Sequence, residues 1–401
     1  MEIVKSMYTI AKMMVAAKKI PTTLMAKPTP LTYIGPGKVT EMPGILERYG
    51  IRNVLVVTDK SLMTLGLLNP MLEAIREQGI RISIYDDVQP DPTYDTVKNG
   101  LKICAENQCD GIIAFGGGSV LDSSKVISAA YTNQCPPEAL KGLAKVKIMR
   151  LPLIAVPTTA GTGSETTIAA VISDSQTHSK TVVIDGKQVP DVAVLDAAIT
   201  AGLPPHITAA TAMDALTHAV EAYVSGYATT QTKRMSRAAV YMIYKNIVKV
   251  YENPDDLKAR EELLVASFYA GMAFTTTYVG YVHAFAHNYG GKFGIPHGLA
   301  NAVILPHIME FYLPACKKEF SELAQVVKLK GSSQEELARS FVDSLWGLNR
   351  RLNIPTALDK FPKSAVDEIC KAGFKECHGT YPVPQYLPKA KAMEILNAIS
   401  V

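Results

Sequence analysis

The chain has 401 residues, of which 48% are hydrophobic and 19% are charged, and its formal net charge is +4. This length predicts two domains, and the small charge, without a cluster of lysine and arginine among aromatic residues, argues against nucleic-acid binding. The absence of a CxxC pair favours reduced thiols in a cytoplasmic protein over a disulfide framework for the six cysteines, which are Cys104, Cys109, Cys135, Cys316, Cys370 and Cys377.

The first 20 residues predict a helix and no membrane span. Lys12 interrupts the only apolar run, which argues against a cleaved signal peptide. Helical spacing relates the apolar positions Val4, Met7, Tyr8, Ala11, Met14 and Val15. We interpret this segment as a helix that packs on the protein itself or on a second subunit. The alternative is a targeting peptide for a microcompartment, because the segment is amphipathic and basic.

The first half of the chain alternates apolar, β-branched runs with helical stretches. Strands are predicted at residues 53–58, 81–85, 111–115 and 153–156, and helices at 70–78, 94–107 and 120–130. Asn69 is expected to cap the first of these helices, with Pro70 in its first position. The alternation is typical of a parallel sheet covered by helices on both faces. We therefore predict an α/β domain over residues 1–203.

A triple-glycine turn follows the predicted strand at residues 111–115. Gly116, Gly117 and Gly118 lack Cβ atoms and let a phosphate approach the backbone. Ser119 is expected to cap the next helix, whose amides and dipole then point at the turn. The alternative is a tight turn that needs glycine only for its backbone dihedral angles. We favour anion binding because three glycines follow one another at a strand end.

Two further features favour a dinucleotide. Asp59 ends the strand at 53–58, where a carboxylate binds both ribose hydroxyls of NAD(H) and repels the 2′-phosphate of NADP(H). An aspartate that caps the following helix explains this residue equally well. The loop at residues 157–165, PTTAGTGSE, offers hydroxyls at another strand end, where ligands of open α/β sheets bind. Its alternative is a loop that is stabilised by internal hydrogen bonds.

The pattern changes near Pro204 and Pro205. Beyond them, long helical periodicities such as those at residues 238–251, 260–273 and 334–348 replace the strand-like runs. We predict an all-helical domain over residues 204–401.

Two short segments of this helical half contain closely spaced metal-binding residue types. Asp214 and His218 are four positions apart, as are His283 and His287. In a helix each pair projects from one face. The glycine pair at 290–291 and Pro296 are expected to let the chain turn and bring His297 back toward the first pair.

An aspartate oxygen and three imidazole nitrogens suit Fe²⁺, Zn²⁺, Mn²⁺ or Co²⁺, and the set consists of Asp214, His218, His283 and His297. His287 is then either a fifth ligand or a group that relays a proton, and we favour the relay. A lone histidine is more often a core residue than a ligand, and this interpretation applies to His178, His206, His307 and His378.

Four segments occur in the order found in a known family. These segments, GGGSVLDSSK, PTTAGTGSE, MDALTHAVEAY and HAFAHNYGGKFGIPHGLANAVILPH, resemble the iron-containing, or group III, alcohol dehydrogenases. The resemblance extends from about Pro28 to the C-terminus. It implies a dehydroquinate-synthase-like architecture, with an α/β Rossmann-like nucleotide-binding domain and an all-α C-terminal domain. It also implies a divalent metal, usually iron and sometimes zinc, and a homodimer or higher homo-oligomer.

Carried over by position, the resemblance assigns the metal to Asp214, His218, His283 and His297. It assigns the pyrophosphate to Gly116, Gly117, Gly118 and Ser119, and places Asp59 near the adenosine ribose. Asp122, Thr158, Thr159, Thr162, Thr167 and Lys180 are assigned to the rest of the cofactor. His287 is expected beside the nicotinamide as a catalytic residue. The substrate-facing candidates form a small apolar pocket and are Ala169, Phe274 and Val279.

The C-terminal segment departs from the family pattern. Members often have Asn-Pro-Arg where residues 376–382 of this chain read ECHGTYP. Because this segment is expected near the substrate pocket, the substrate of any one relative does not transfer to this chain. An anionic head group that contacts His378 is one alternative.

We predict a metal-dependent, NAD(H)-linked oxidoreductase. It transfers hydride reversibly between C4 of NAD(H) and the carbinol carbon of a small primary alcohol, or its aldehyde, while the metal polarises the oxygen. His287, a cofactor ribose hydroxyl and water carry the proton outward. The alternatives are a glycerol or polyol dehydrogenase or a lyase of the same fold, a metal-dependent hydrolase, and a non-catalytic sensor. We expect Fe²⁺ or Zn²⁺ as the metal and neither nucleic acid nor membrane as a partner.

Overall fold

The computed structural model describes residues 8–17, 28–175 and 180–401, so Val4, Met7 and His178 lie outside the described residues. Contacts between residues divide the chain into two units. The α/β unit comprises Met25–Leu203 and Asp255–Phe268, and the helical unit comprises Met1–Leu24, Pro204–Pro254 and Tyr269–Val401.

The α/β unit contains a parallel sheet, as the alternating pattern predicts. In spatial order its six strands are β1 (Leu31–Ile34), β9 (Val192–Leu195), β6 (Leu153–Pro157), β4 (Gly111–Gly116), β2 (Asn53–Val57) and β3 (Arg81–Tyr85). The strand pairings of this sheet are parallel, and β2, β4, β6 and β9 are buried along their whole length. Such strands are covered on both faces, which explains their continuous apolar sequences.

Alternate residues of the central strand β4 enter two different cores. Ile112 and Ala114 pack in one apolar cluster, whereas Ile113 and Phe115 pack in another. This follows from the two-residue side-chain period of a strand. The register pairs Gly116 at the end of β4 with Pro157 at the end of β6. The triple-glycine turn and the loop at residues 157–165 therefore begin at neighbouring strand ends.

In the described part of this unit, the helices between the strands and after them are α2 (Met42–Arg48), α3 (Lys60–Thr64), α4 (Asn69–Glu77), α5 (Tyr94–Glu106), α6 (Gly118–Asn133) and α7 (Ala197–Thr200). Two caps differ from the predictions. Asn69 lies inside α4, whose N-cap is Leu68, and Ser119 lies inside α6, whose N-cap is Gly117 without a side-chain hydrogen bond. α4 therefore begins one residue earlier than predicted and α6 two residues earlier, because the path of the chain into a helix sets its boundary as much as the preference of a capping side chain does.

A second sheet has three strands, in the spatial order β5 (Gly142–Leu143), β8 (Lys180–Ile184) and β7 (Ala169–Ser173). β7 and β8 pair antiparallel, with Ala169 opposite Ile184. The sequence patterns did not predict this sheet, because its strands are short and half-buried.

The helical unit contains α1 (Tyr8–Ala17), α8 (Pro205–Val224), α9 (Thr230–Glu252), α11 (Tyr281–Phe293), α12 (His297–Tyr312), α13 (Lys317–Val326), α14 (Gln334–Arg351), α15 (Val366–Cys377) and α16 (Lys389–Ala398). α10 (Leu257–Thr277) contributes residues to both units. The turn that returns His297 lies at Gly294, which has φ 61°, and not at residues 290–291 as predicted. Glycine adopts this left-handed conformation without steric strain, so it ends α11 there.

Among the described residues, no single helix combines the length and apolar composition needed to cross a membrane. One pair of helices meets both criteria when joined, Leu257–Thr277 with Tyr281–Gly290, but the two are bent by 106°.

Candidate active-site residues

Three helix segments of the helical unit bring candidate metal ligands together. α8 presents Asp214 and His218 from one buried face, α11 presents His283, and His297 is the first residue of α12. A Cβ at Gly298 would lie 2.4 Å from the carbonyl oxygen of Ala210. Glycine is thus the residue that lets the start of α12 reach the backbone of α8 one turn before Asp214.

A single carboxylate oxygen is the centre of this cluster. Oδ1 of Asp214 lies 3.9 Å from Nδ1 of His218, 3.5 Å from Nε2 of His283 and 3.6 Å from Nε2 of His297. Ligand atoms that surround one tetrahedral cation at about 2.1 Å are about 3.4 Å apart. The ligand atoms of Asp214, His283 and His297 all lie within 4.8 Å of one another. His218 lies at the margin of the set, and its ring stacks on His283 with centroids 4.3 Å apart.

The electrostatics of these residues also suit a cation. Burial raises the pKa of Asp214, but the three imidazoles outweigh burial and hold that pKa well below its usual range. Burial lowers the pKa of His283, but hydrogen bonding and charge from Asp214 and Glu221 outweigh it and raise the pKa to about 9. Asp214 and Glu221 therefore favour a positive charge at this cluster, and a divalent metal would supply it. Nε2 of His283 is buried without a hydrogen bond of normal geometry.

Glu221 orients the imidazole of His283 through a hydrogen bond with Nδ1. Its Oε2 accepts hydrogen bonds from Nδ1 of His283 at 2.7 Å and from the amide of Gly280 at 2.8 Å. Its Oε1 accepts from the amide of Val282 at 2.9 Å. A carboxylate can only accept, so His283 carries its proton on Nδ1 and leaves Nε2 for a metal. The sequence patterns did not assign Glu221, although a buried acid one helical turn beyond His218 was a usable signal.

A side-chain amide contacts two further ligand candidates, Asp214 and His297. Nδ2 of Asn301 donates to Oδ1 of Asp214 at 2.6 Å and contacts Nε2 of His297 at 3.0 Å. Asn301 is fully buried on α12, one turn after His297. It therefore links the start of α12 to the carboxylate on α8.

His287 is placed differently from these ligand candidates. Its Nδ1 lies 2.6 Å from Oε1 of Glu376, and its ring is parallel to that of His297 with centroids 5.2 Å apart. His287 lies outside the group of Asp214, His283 and His297, whose ligand atoms are all within 4.8 Å of one another. This arrangement suits a proton-relay group better than a fifth ligand.

The remaining substrate candidates of the helical unit lie in two environments. The half-buried ring of Phe274 stacks on His218 with centroids 4.1 Å apart, and half-buried Val279 precedes Gly280. Nε2 of His378 is hydrogen-bonded to the hydroxyl of Tyr281 at 2.7 Å. Aromatic rings surround His378, and burial lowers its pKa. Phe274 thus borders the metal-ligand cluster, whereas His378 has the environment of a core residue.

Within the α/β unit, the glycines of the turn have different steric needs. A Cβ at Gly116 would lie 2.5 Å from Val120, and a Cβ at Gly118 would lie 2.8 Å from Thr162. At Gly117 the nearest atom would be 3.6 Å away, and its φ of −77° suits any residue. Packing therefore requires glycine at positions 116 and 118 but not at 117, where a Cβ would be in ordinary van der Waals contact with Thr159.

A buried lysine on α6, the helix that follows this turn, is hydrogen-bonded to the loop at residues 157–165. Nζ of Lys125 donates to Oγ of Ser164, Oγ1 of Thr167 and the carbonyl of Ala169, each at 2.8 Å. Burial lowers the pKa of Lys125 to about 8, against the opposing charges of Asp122 and Glu165. The sequence patterns did not assign Lys125. Its position three residues after Asp122, on the same helix face, was the available signal.

Asp122 and the candidate threonines make hydrogen bonds within the unit. Asp122 accepts from Ser164 at 2.6 Å and from the amide of Val171 at 2.8 Å. Thr158 is buried, and its amide donates to the carbonyl of Gly116 at 3.1 Å. Thr159 and Thr162 are half-buried. The loop is thus stabilised by internal hydrogen bonds, as the alternative interpretation predicted, while Thr159 and Thr162 remain partly accessible.

Two further cofactor candidates have structural partners. Oδ1 of Asp59 accepts from the amide of Leu62 at 3.0 Å and caps α3, as one of its two interpretations predicted. Nζ of Lys180 lies 3.3 Å from Asp91. The proposed contacts of Asp59 and Lys180 with the cofactor stay predictions.

Comparison with known proteins identifies the family. Residues 29–197 match the model described as "Iron-containing alcohol dehydrogenase", and residues 208–400 match "Fe-containing alcohol dehydrogenase family, C-terminal". The chain belongs to the iron-containing alcohol dehydrogenase family. Its predicted family, its fold class and its assignment as an oxidoreductase are confirmed.

Relatives cover nearly the whole of this alcohol dehydrogenase. The probable alcohol dehydrogenase EutG of Escherichia coli is 38% identical, over 85% of this chain and 88% of that protein. Alcohol dehydrogenase 4 of Saccharomyces cerevisiae is 37% identical, over 88% and 93% respectively. The crystal structure of a 1,3-propanediol oxidoreductase superposes with a TM-score of 0.90 at 32% identity, over 93% of this chain and 99% of that one.

Proposed function

We propose that this enzyme transfers hydride reversibly between NAD(H) and a small primary alcohol or its aldehyde. A divalent metal, Fe²⁺ or Zn²⁺, would be held by Asp214, His218, His283 and His297. The observation that carries the metal assignment is the approach of three imidazole nitrogens to within 3.9 Å of one aspartate oxygen. When bound, such a cation polarises the substrate oxygen and stabilises charge that develops on it.

The cofactor assignment rests on the α/β unit and on two relatives. One is named NAD-dependent methanol dehydrogenase, from Bacillus methanolicus, and is 34% identical over 353 residues. The other is a sulfoacetaldehyde reductase from Bifidobacterium kashiwanohense, 26% identical, whose structure was determined in complex with NAD⁺. Gly117 is the N-cap of α6, and the amides and dipole of a helix N-terminus suit a pyrophosphate. We assign Ser119, Asp122, Thr158, Thr159, Thr162, Thr167 and Lys180 to the remaining cofactor contacts, with Asp59 near the ribose.

A short substrate is supported by the apolar border of the metal-ligand cluster. Phe274 covers one face of His218, and Val279 lies just before the amide that Glu221 binds. Relatives include proteins named 1,3-propanediol dehydrogenase and lactaldehyde reductase, both of which act on small molecules by name. We keep Ala169 in the substrate site on the resemblance alone. The family match favours this function over a polyol dehydrogenase and a hydrolase.

We also propose a cytoplasmic location and a homodimer or larger homo-oligomer. Residues 1–203 and 204–401 stay our proposed domains. Light scattering during size-exclusion chromatography measures the assembly, and a monomeric mass would refute an obligate dimer.

The function is tested with aldehydes and alcohols of increasing chain length. Protein reconstituted anaerobically with Fe²⁺, and separately with Zn²⁺, is assayed by absorbance of the reduced nicotinamide. We expect NADH oxidation with short aldehydes and a preference for NADH over NADPH. No turnover of any aldehyde by either metal form, or failure to bind NADH in a fluorescence titration, would refute the proposal.

The metal assignment is tested with His283→Ala. Loss of one of four ligands should abolish metal retention and turnover together. His206→Ala is the matched control, because His206 is exposed near the start of α8, and not in the core as predicted from the sequence. Full turnover by a metal-free His283→Ala variant would contradict the mechanism.

A further inference from the structure

A carboxylate from another helix holds the imidazole of His287. Glu376, in the last turn of α15, places Oε1 at 2.6 Å from Nδ1 of His287. The hydroxyl of Tyr381 donates to the same oxygen at 2.7 Å. Burial raises the pKa of Glu376, but the charge and hydrogen bond of His287 and the hydrogen bond of Tyr381 outweigh it and keep the pKa below its usual range. Glu376 is therefore an ionised acceptor with two donors.

This contact determines where His287 carries its proton. An ionised carboxylate has no hydrogen to donate, so Nδ1 of His287 must be the donor. In the neutral ring the lone pair is then on Nε2. The interplanar angle between His287 and His297 is only 12°. The nitrogen that accepts protons thus belongs to a ring stacked on a candidate metal ligand.

We propose that Glu376 is a positioning residue for the proton transfer, fixing the Nδ1–H tautomer and the orientation of His287 so that Nε2 is the proton acceptor. With NAD⁺ bound, oxidation of the alcohol would transfer a hydride from its carbon to the cofactor and release a proton from its hydroxyl. Nε2 of His287 would accept that proton and pass it to water, and aldehyde reduction would run in reverse. This step rests on the proposed function, whereas the tautomer does not.

A tyrosine of the same segment supports this contact. Glu376 and Tyr381 both lie in the segment ECHGTYP. Tyr381 keeps its proton, because burial and then Glu376 raise its pKa well above the usual value. It therefore remains a donor that holds the carboxylate toward His287.

The tautomer is tested on metal-free protein without cofactor. Protein labelled with ¹⁵N-histidine is examined by long-range ¹H–¹⁵N spectra at a pH where histidine is neutral, and a His287→Gln variant assigns the signal among the eight histidines. We expect wild-type His287 to carry its proton on Nδ1. Glu376→Leu removes the acceptor and should shift the proton toward Nε2. Glu376→Gln should retain the Nδ1 proton, because its amide oxygen still accepts.

The role in the reaction is tested on metal-loaded enzyme with matched metal content. Glu376→Leu should lower kcat by roughly 10- to 100-fold, as loss of an outer partner of a catalytic imidazole does. Glu376→Gln should restore part of this loss. Glu368→Gln is the matched control, because Glu368 also connects α15 to α11 through Lys292 but is exposed. We expect a wild-type spectrum and wild-type kcat for this control.

Two results would overturn the proposal. The first is a proton on Nε2 in wild-type protein, or an unchanged His287 signal in Glu376→Leu. The second is an unchanged kcat in Glu376→Leu at equal metal content, which would refute the role in the reaction. The spectra do not depend on turnover, so an enzyme inactive toward every aldehyde would refute the proposed function and leave the tautomer result valid.

Discussion

The most informative perturbation is Glu221→Gln, because it removes the negative charge and leaves the size of the side chain almost unchanged. The carboxylate is 1% exposed and accepts three hydrogen bonds, from His283, Gly280 and Val282. In the best orientation the amide oxygen keeps the bonds of His283 and Gly280, and the amide nitrogen faces the N–H of Val282. One buried donor is then unsatisfied, which should cost about 1–3 kcal/mol of unfolding free energy.

The same change should weaken metal binding. Without the negative charge of Glu221 next to Nδ1, Nε2 of His283 becomes a poorer ligand. Such changes typically cost about 10- to 100-fold in metal affinity. This corresponds to about 1.4–2.7 kcal/mol of binding free energy. Titration of metal-free protein with Zn²⁺ or Co²⁺, in competition with a chromophoric chelator, measures the affinity directly and does not require turnover.

A matched control separates this effect from a general loss of an acid. Glu319 pairs with Lys233 at 3.2 Å, is partly exposed, and lies in the same unit without touching a ligand candidate. Glu319→Gln should bind metal as the wild type does. Equal metal affinities of Glu221→Gln and wild type would refute the proposal that Glu221 makes His283 a stronger metal ligand.

Three further predictions follow from single contacts. Gly280→Ala places a Cβ 2.7 Å from Oε1 of Glu221 and should cost about 1–3 kcal/mol in urea unfolding, whereas Gly44→Ala in α2 meets nothing within 4 Å and should cost no stability. Burial raises the pKa of Glu165 from 4.5 to about 7, so its native form binds the proton more tightly, and stability should fall by about 3 kcal/mol as pH rises through that window; Glu165→Gln should lack this fall, and identical pH dependence of the two proteins would refute it. Asp59→Ala should lower the unfolding free energy by about 0.5–2 kcal/mol, because it removes the cap of α3. It should also reduce the preference for NADH over NADPH, measured as the ratio of kcat/KM values. An unchanged preference would refute the cofactor role of Asp59 and leave only its role as a helix cap.

The fold class and the candidate ligands could be predicted from the sequence for a local reason. A strand or helix shows its period over a few neighbouring residues, and a pair such as Asp214 and His218 lies on one helix face whatever surrounds the helix. Local preference was less reliable at the ends of helices. The caps of α4 and α6 and the end of α11 each differ from prediction, because the path of the chain into the next element sets the boundary.

The partners of the candidate ligands could not be predicted in the same way. Glu221 and His283 are separated by 62 residues, Lys125 and Thr167 by 42, and Glu376 and His287 by 89. No period connects such positions, so only the packing of helices and loops brings them together.

By itself, the sequence determined which residue types are available to bind a metal and a phosphate, and on which helices and turns they lie. Only the tertiary structure decided which nitrogen of His283 and His287 carries the proton, because that depends on the carboxylate that the fold places against each ring. It also decided which of the three glycines must lack a side chain, because the clash of an added Cβ depends on neighbours that are brought near by packing.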